Sequence, residues 1–335
     1  MIRIHRRIRN LIATVAAAAV ALTLSACAPA ASGDQLTIGL TYTPNIQFAP
    51  IYVAKELGYF DEAGVNVQLR HHGESEALFG ALEGGSEHLV YAAGDEILQG
   101  AAGGVPVVAV GTLYTEYPAV LIVPVDSPIE SAADLAGHSV GVPGPYGETW
   151  FALQALLTDA GLDSDQVQIE HIGYTQQAAL TSGKVDAVMG FRNNDAVQFE
   201  AAGFKVRTIA AVDPDAPQLV GPAIGASHSV LDSRGDDVSA ALAAIQRGVD
   251  YTLKHPEEAV EIAAKYIPTL SSEDARQNAL ATLQATNELM QPVAGQPLLH
   301  NDVETWQRMC EFMPAAKLIS GEIDCAAAYR NDLLP

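Results

Sequence analysis

The stretch that decides the fold is QLTIGLTYTPNIQFAPIYVAKELGYFDEAGVNVQLRH, residues 35–71, in which strand and helix patterns follow one another directly. QLTIGLTY has the apolar and β-branched residues of a buried strand. FAPIYVAKELGYFDEAG has the apolar stripe of a helix that stops at a glycine. VNVQLRHHG then returns to a strand pattern. A strand, a helix and a further strand in this order predict a crossover connection between parallel strands.

The alternation continues on both sides of a proline-rich break. Before it, EALFGALEGG and EILQGAAGG have helix patterns, and HLVYAAG and VPVVAVGTLY have strand patterns. After it, a short helix pattern in SAADLAG precedes the strand patterns HSVGVP, VQIEHIG, VDAVMGF and KVRTIAAV. These are separated by the helix patterns WFALQALLTDAGL, QAALTSG and NDAVQFEAAG. From about Asp236 to Pro335 the pattern is mostly helical, so strands and helices do not alternate there.

The restart of the pattern predicts two α/β lobes. We expect residues 36–123 to begin the first lobe, 124–221 to form the second, and 222–335 to complete the first with helices. The chain is expected to cross between lobes near Ile122–Asp126 and Val220–Ala223. Ligands of open α/β sheets bind beyond the carboxyl ends of the strands, so two facing lobes predict a cleft there.

The first residues have the layout of an export signal. MIRIHRRIRN contains four arginines and no acid, and LIATVAAAAVALTLSAC is an apolar stretch that ends in small residues. The ending LSAC resembles the bacterial lipobox, which makes Cys27 the expected lipidated residue, with 1–26 as the signal peptide and 27–35 as a tether. A plain membrane anchor or an incidental cysteine is the alternative. We expect a protein outside the cytoplasm, attached to the bacterial cell membrane through its lipid only.

The charge of the chain excludes one class of partner. The formal net charge is −22, and removal of the four leader arginines takes it to −26. Nucleic-acid binding needs clustered lysine and arginine for the phosphates, so we expect no nucleic-acid partner. Outside the leader, Cys310 and Cys325 remain. An oxidising compartment permits a disulfide between them, and two free buried thiols are the alternative.

Polar and aromatic residues follow the predicted strands in both lobes. Turns favour Gly, Asn and Asp in any protein, but their recurrence after seven strands favours a ligand cleft. The loops concerned are TYTPNIQF, HHGESE, AAGDE, LYTEYP, GPYGETWF, GYTQQ and GFRNND. Their candidate ligand-binding residues are Tyr42, Asn45, Gln47, Phe48, Glu74, Asp95, Glu96, Tyr117, Tyr146, Glu148, Trp150, Tyr174, Asn193, Asn194 and Asp195.

These residue types describe a ligand. Aromatic rings offer flat faces for stacking, and carboxylates and amides bind the edges of a heterocycle. Only Arg192 and Arg70 lie near the loops, whereas an anionic ligand favours guanidinium groups or free helix N-termini. We therefore expect a neutral or weakly cationic flat heterocycle. In GPYGETWF, Tyr146 and Glu148 precede the helix and are the better candidates, because Trp150 or its neighbour should face the core.

The stretch TPNIQFAPIYVAKELGYFDEAGVNV resembles the opening of solute-binding proteins in the thiamine-pyrimidine-synthase-like family. The likeness continues through VPVVAV, SAADLAGHSVGVPG and GKVDAVMGF, and it covers most of residues 36–210. The resemblance implies the bilobed type II periplasmic-binding-protein fold, with two mostly parallel sheets flanked by helices. It further implies a monomeric receptor without cofactor or metal, which closes on its ligand and docks on an ABC permease with a separate ATPase subunit.

Members of that family capture riboflavin, thiamine pyrimidine precursors, or alkyl sulfonates and related solutes. Carried over by position, Asn45 and the acids Glu74, Asp95 and Glu96 meet the ligand from the first lobe, and the GPYGE turn closes from the second. The run Asn45-Ile46-Gln47-Phe48 departs from the pattern of pyrimidine-precursor binders, and the many aromatic residues leave room for a flavin. Riboflavin and a pyrimidine precursor such as hydroxymethylpyrimidine or formylaminopyrimidine both stay open.

An enzyme is the hypothesis from a different class, because eukaryotic relatives of this fold make the thiamine pyrimidine. His71 and His72 suggest it, but adjacent residues on a strand point to opposite faces and do not easily bind one metal. No cysteine lies between Cys27 and Cys310, and the sequence contains neither a Gly-rich phosphate loop nor a Ser-His-Asp motif. We therefore expect a receptor and not a catalyst.

Overall fold

The computed structural model describes residues 35–73, 76–320 and 323–335. The predicted leader, the tether and Cys27 lie outside the described residues, and so does Glu74. Leu36–Pro335 form one compact unit that contains two five-stranded sheets.

The first sheet has the strand order β2-β1-β3-β10-β4. Its strands are β1 (Leu36–Leu40), β2 (Val67–His71), β3 (Leu89–Ala93), β4 (Val107–Thr112) and β10 (Pro222–Ser227). β1 pairs in parallel with β2 and β3, whereas β10 lies antiparallel between β3 and β4. Four strands therefore share one direction, and the fifth returns from the other half of the chain.

The second sheet repeats this arrangement in the order β7-β6-β8-β5-β9. Its strands are β5 (Ala119–Pro124), β6 (Ser139–Val142), β7 (Gln168–His171), β8 (Ala187–Phe191) and β9 (Val206–Ala210). β6 pairs in parallel with β7 and β8, and β5 lies antiparallel between β8 and β9. Each sheet is thus mixed: the first strand after each crossing is inserted antiparallel.

The structure puts the first crossing earlier than the sequence pattern did. β5 belongs wholly to the second sheet, so the chain leaves the first sheet between β4 and Ala119, and not near Ile122–Asp126. The apolar run of β5 resembles that of β4, and the proline-rich turn behind it gave the stronger break signal. The return crossing lies between β9 and β10, at residues 211–221, beside the predicted Val220–Ala223.

Helices cover both sheets. They are α1 (Ala49–Glu56), α2 (Tyr59–Glu62), α3 (Gly80–Glu83), α4 (Gly94–Ala102), α5 (Gly147–Asp159), α6 (Gln176–Thr181), α7 (Asp195–Ala201), α8 (His228–Lys254), α9 (Pro256–Ala263), α10 (Glu273–Leu289) and α11 (Val303–Ala315). Side-chain caps start several of them: Ser227 Oγ accepts from the Val230 amide at α8, and Ser272 Oγ from the Ala275 amide at α10. EALFGALEGG forms only the single turn α3, because its glycines disfavour a longer helix.

The helices after β10 are shared between two apolar cores. α8, α9 and α10 pack with α1 and one face of the first sheet. α11 instead contributes Trp306, Met309 and Met313 to a core that includes the other face of that sheet and much of the second lobe. Trp306 is fully buried and stacks on Tyr329, so it belongs to the core.

A disulfide joins Cys310 in α11 to Cys325, 15 residues further along the chain. A loop of this length corresponds to about 3 kcal/mol of stabilisation in the chain-entropy model. Within the described ranges, each helix is too short or too polar to cross a bilayer.

Candidate functional site

A cavity of about 410 Å³ lies between the two lobes, where strands of both sheets end. The first lobe contributes the loop after β1, the end of β3 with the start of α4, and Tyr114 after β4. The second lobe contributes the GPYGETWF loop and the loops after β7 and β8. The described lining residues are Thr41, Tyr42, Asn45, Gln47, Leu78, Tyr91, Ala92, Ala93, Glu96, Tyr114, Pro118, Pro143, Tyr146, Gly147, Glu148, Thr149, Tyr174, Gln176, Phe191, Asn193, Asn194, Asp195 and Pro222.

The loop after β1 turns one side chain to the cavity and the next to the core. Asn45 caps a 3-10 turn, Ile46–Phe48, and its Oδ1 accepts from the Gln47 amide at 3.1 Å. Gln47 lines the cavity. Phe48 is fully buried, with its ring edge-on to Tyr91 at 4.9 Å between centroids. Phe48 therefore supports the site from behind and does not line it, contrary to the sequence expectation.

GPYGETWF forms the second lobe's side of the cavity. Gly147 has φ +74°, in the left-handed region that favours glycine, and begins α5; a Cβ there would lie 3.4 Å from Glu96 Oε1. Successive helix residues are rotated by about 100°, so Trp150 points nearly opposite to Glu148. The Trp150 ring packs edge-on to His171, at 6.4 Å between centroids, and lies outside the cavity lining.

Three carboxyl groups gather at or just behind the floor of the cavity, and none of the described lining residues is a cation. Asp95 is fully buried; Glu96 and Glu148 line the cavity and are partly exposed to it. Burial raises the pKa of each, and Asp95 and Glu96 raise that of Glu148 further by charge repulsion. The carboxyl group of Glu148 is therefore held toward its neutral, hydrogen-donating form.

The crossing segments hold this carboxyl cluster in place. Tyr117 donates its hydroxyl proton to Asp95 Oδ2 at 2.7 Å, and the Tyr117 hydroxyl oxygen lies 3.1 Å from the backbone carbonyl oxygen of Glu148. The amides of Gly94 and Asp95 donate to the carbonyls of Gly221 and Val220. Asp95 and Tyr117 thus lie outside the cavity lining, where they join the start of α4 to both crossings.

Four polar atoms of the lining residues are buried and make no hydrogen bond of ordinary geometry with the described residues, although the hydroxyls of Tyr91 and Tyr114 lie close enough to affect each other's pKa. They are the hydroxyls of Tyr91 and Tyr114, Glu148 Oε1 and Asn193 Oδ1. An unpaired buried polar group costs about 1–3 kcal/mol, so these atoms are the candidates in this cavity for hydrogen bonds to a ligand.

The mouth of the cavity carries three exposed tyrosines. Tyr42, Tyr146 and Tyr174 expose 42%, 51% and 70% of their surface. They lie near enough to one another that Tyr146 and Tyr42 help burial to raise the pKa of Tyr174. With Tyr91, Tyr114 and Phe191 deeper in, six aromatic rings surround the cavity, and none of its described lining residues is Lys, Arg or His. Such a site suits an uncharged flat ligand.

The loop after β8 contributes two amides and an acid. Asn193, Asn194 and Asp195 line the cavity, and Asp195 Oδ2 accepts from the Phe191 amide at 2.7 Å. Burial raises the pKa of Asp195, and that hydrogen bond opposes the rise. Arg192 turns away and pairs with Glu116 of the first crossing, so it brings no positive charge to the cavity.

The structure thus brings ten of the sequence candidates together in the cavity lining. They are Tyr42, Asn45, Gln47, Glu96, Tyr146, Glu148, Tyr174, Asn193, Asn194 and Asp195. Phe48, Asp95, Tyr117 and Trp150 lie behind the lining, and Glu74 lies outside the described residues. Sequence reasoning missed Tyr91, whose strand is wholly apolar around it, and Gln176 at the start of α6. In the described part of the chain, no group of three or more His, Cys, Asp or Glu is arranged to hold a metal ion.

Comparison with known proteins identifies relatives of the whole chain. The family model "NMT1/THI5 like" matches residues 45–259. The riboflavin-binding protein RibY of Chloroflexus aurantiacus is 32% identical over 90% of this chain and 86% of its own. A 4-amino-5-hydroxymethyl-2-methylpyrimidine phosphate synthase of Legionella pneumophila is 25% identical, over 90% and 93%. The formylaminopyrimidine-binding protein of Halalkalibacterium halodurans is 23% identical, over 84% and 85%.

The solved structures show the fold. The periplasmic aliphatic sulphonate binding protein SsuA of Escherichia coli superimposes with a TM-score of 0.70 at 19% identity, over 89% of this chain and 92% of its own. The predicted bilobed α/β fold of periplasmic binding proteins is confirmed.

Proposed function

Because the chain belongs to the NMT1/THI5 like family, we propose that it is the solute-binding protein of an ABC importer and that it captures riboflavin. The observation that carries the proposal is the floor of the cavity, where four buried polar atoms can form hydrogen bonds with a ligand beside six aromatic rings, and where none of the described lining residues is a cation. The isoalloxazine ring of riboflavin is flat, uncharged and rich in hydrogen-bonding groups along one edge. It supplies both the stacking faces and the missing hydrogen bonds.

Two other ligands compete with riboflavin. An alkyl sulfonate carries a permanent negative charge, which the cluster of Glu96, Glu148 and Asp195 disfavours. A thiamine pyrimidine precursor is uncharged and could also form hydrogen bonds with the polar atoms at the floor of the cavity. Because some relatives are named for such pyrimidines, this class of ligand is included in the test. Its single small ring would leave the three tyrosines at the mouth without a stacking partner.

Ligand capture proceeds in this proposal by closure of the lobes about the two crossings. The crossings touch where a Cβ on Gly221 would lie 2.9 Å from Pro118 Cδ. These short segments can change their backbone angles while each lobe moves as a rigid body. The closed protein then docks on a permease, and a separate subunit hydrolyses ATP.

The cellular location of the protein is part of the same proposal. We infer that 1–26 is a lipoprotein signal, that Cys27 carries the lipid, and that the receptor acts as a monomer outside the cytoplasm. Globomycin inhibition of the lipoprotein signal peptidase, followed by mass measurement of the mature protein, tests the anchor. The unprocessed precursor accumulates if Cys27 is the lipidated residue.

The test of the ligand is a flavin-fluorescence titration of the purified protein. The fluorescence of riboflavin is expected to be quenched as the ligand binds, and the quenching should saturate at one site per protein with a Kd in the micromolar range or lower. Hydroxymethylpyrimidine, formylaminopyrimidine and an alkyl sulfonate are then added as competitors. Tighter binding of a pyrimidine would assign the protein to thiamine salvage. Exclusive binding of the sulfonate would overturn the proposal.

The same sample separates a receptor from an enzyme. Ligand recovered after prolonged incubation should have unchanged mass and absorption, because we propose that the carboxyls, amides and phenols of the lining bind the ring and form no bond with it. A new product that depends on the protein would support the synthase-like alternative.

A further inference from the structure

Asn193 is held by the first lobe while it lines the cavity from the second. It follows β8, is 4% exposed and lines the cavity, and its side-chain oxygen Oδ1 is buried with no hydrogen bond to the described residues. Its amide nitrogen Nδ2 donates to Thr286 Oγ1 at 2.9 Å. Thr286 lies in α10, which belongs to the core of the first lobe.

The hydroxyl of Thr286 fixes which end of the Asn193 amide faces the cavity. Thr286 Oγ1 donates its only proton to the Thr282 carbonyl at 2.8 Å, one helical turn earlier. Toward Asn193 it therefore presents a lone pair and can only accept. The amide must turn Nδ2 to Thr286, which leaves Oδ1, a pure acceptor, toward the ligand.

We propose that Asn193 selects a ligand by a ring N–H donor and at the same time links the two lobes. The inference rests on the proposed function and sharpens it, since the imide nitrogen of the flavin ring is such a donor. An acceptor fixed in this orientation leaves no compensation for a ligand without the N–H, because Asn193 Oδ1 then stays buried and unpaired.

The neighbouring polar atoms complete a matching pattern. The hydroxyls of Tyr91 and Tyr114 can donate, and Glu148, whose carboxyl is held toward its neutral form, can donate as well. A floor with one acceptor among donors complements a ring edge with one N–H between two carbonyls. The imide edge of an isoalloxazine ring has this arrangement, so it faces the floor and the sugar-like chain faces the mouth.

The test compares riboflavin with riboflavin methylated at the imide nitrogen, in wild type and four variants. Wild type should prefer riboflavin at least tenfold, by the ratio of the two Kd values. Asn193→Leu keeps most of the bulk of the side chain but removes the acceptor, and the ratio should fall below about threefold. Asn193→Ala also removes the acceptor and is measured in the same way, so the test can still be made if only one of the two variants folds.

Thr286→Val tests the link between the lobes. It removes the acceptor on α10 without changing the cavity lining, and should weaken both ligands by a similar factor of about two to five. Thr252→Val is the matched control, because Thr252 is a buried helical threonine that donates to the carbonyl four residues earlier, Gly248. It should leave both Kd values unchanged.

Each outcome decides a separate question. A wild-type ratio of the two Kd values near one would show that the protein does not select for the ring N–H. A ratio that stays high in both Asn193 variants would show that the methyl group is excluded by its size. Either result would overturn the proposed recognition of the ring N–H by Asn193. Unchanged Kd values in Thr286→Val would overturn the link. Failure of wild type to bind riboflavin at all would instead overturn the proposed function, and this inference with it.

Discussion

Glu87 and Glu148 both place carboxyl oxygens in the interior, but their surroundings are opposite. Glu87 is 1% exposed and is held by Arg70 at 2.6 Å and by His72 at 3.0 Å. Glu148 Oε1 is buried in the cavity floor with no hydrogen-bond partner in the described residues, beside two further acids. One carboxyl is satisfied within the fold, whereas the other is left for something outside it.

The presence or absence of partners within the fold distinguishes a structural acid from a binding acid. The residue type alone does not distinguish them, because both residues are glutamates. Glu87 lies under β1, where a Cβ on Gly39 would collide with its carboxyl group, and its partners fix the end of β2. Glu148 lies between the lobes, where a ligand can reach it. A buried carboxyl without a cation costs stability, so its presence in a cavity indicates a binding role.

The largest effect is expected from Glu87→Gln. The substitution removes the buried carboxylate that Arg70 and the buried His72 share, and should lower the free energy of unfolding by roughly 3 kcal/mol. Urea denaturation measures it. Glu76→Gln is the control: Glu76 pairs with the same Arg70 at 2.6 Å, but on the surface where solvent screens the pair, so this substitution should cost clearly less than Glu87→Gln. Equal costs for the two variants would contradict the structural role of Glu87.

Substitution of Glu148 should act on binding and not on stability. Glu148→Gln removes a repulsive neighbour of Asp95 and Glu96, so the free energy of unfolding should stay constant or rise. The amide of this variant still donates a hydrogen bond, so riboflavin affinity is tested with Glu148→Leu, which removes the donor to the ring edge and should lower the affinity about tenfold. A destabilised variant with unchanged Kd would make Glu148 structural, like Glu87.

The pH dependence of stability should differ in sign between Glu148, whose pKa is raised, and Glu76, whose pKa is lowered. Folding raises the pKa of Glu148, so above pH about 4 this group binds fewer protons in the unfolded chain than in the folded protein. The stability that this group contributes is present at low pH and is lost as the pH rises through the folded pKa. The stability advantage of Glu148→Gln over wild type should therefore grow with pH.

Surface acids with lowered pKa values provide the internal contrast. The pKa of Glu76 is lowered, chiefly by its hydrogen bond from Arg70, so its contribution is lost as the pH falls. Denaturation of wild type, Glu148→Gln and Glu76→Gln at pH 4 to 8 compares them. Parallel curves for all three proteins would contradict the assignment.

The smallest effect is expected at the mouth. Tyr174 is 70% exposed, and Tyr174→Ala should leave stability unchanged and weaken riboflavin binding two- to tenfold through a lost stacking partner. Tyr174→Phe keeps the ring and should bind like wild type. Equal losses in both variants would assign the effect to the hydroxyl, and no loss in either would remove Tyr174 from the site.

The fold was predictable to the extent that strand and helix patterns are local. The alternation gave both lobes, but the place of β5 in the second sheet depends on its pairing with β8 and β9, which no local pattern encodes. The disulfide also stayed open, since spacing does not reveal that α11 brings Cys310 to Cys325.

The site was predictable where its residues follow strands. Asn45, Glu96 and Asn193 lie at strand exits and line the cavity as expected. Phe48 and Trp150 lie in the same loops but face the core, because side chains alternate around a turn or helix. Tyr91 was missed for the opposite reason: it lies inside an apolar strand, and only the tertiary structure shows its hydroxyl at the cavity.

The most direct measurement of the central claim is a calorimetric titration of the purified protein with riboflavin and, in the same buffer, with an alkyl sulfonate. We predict one-to-one binding of riboflavin, weakened in Glu148→Leu but unchanged in Glu76→Gln, and no heat from the sulfonate. Binding of the sulfonate without riboflavin would contradict it, because an acidic cavity without cations would then hold an anion.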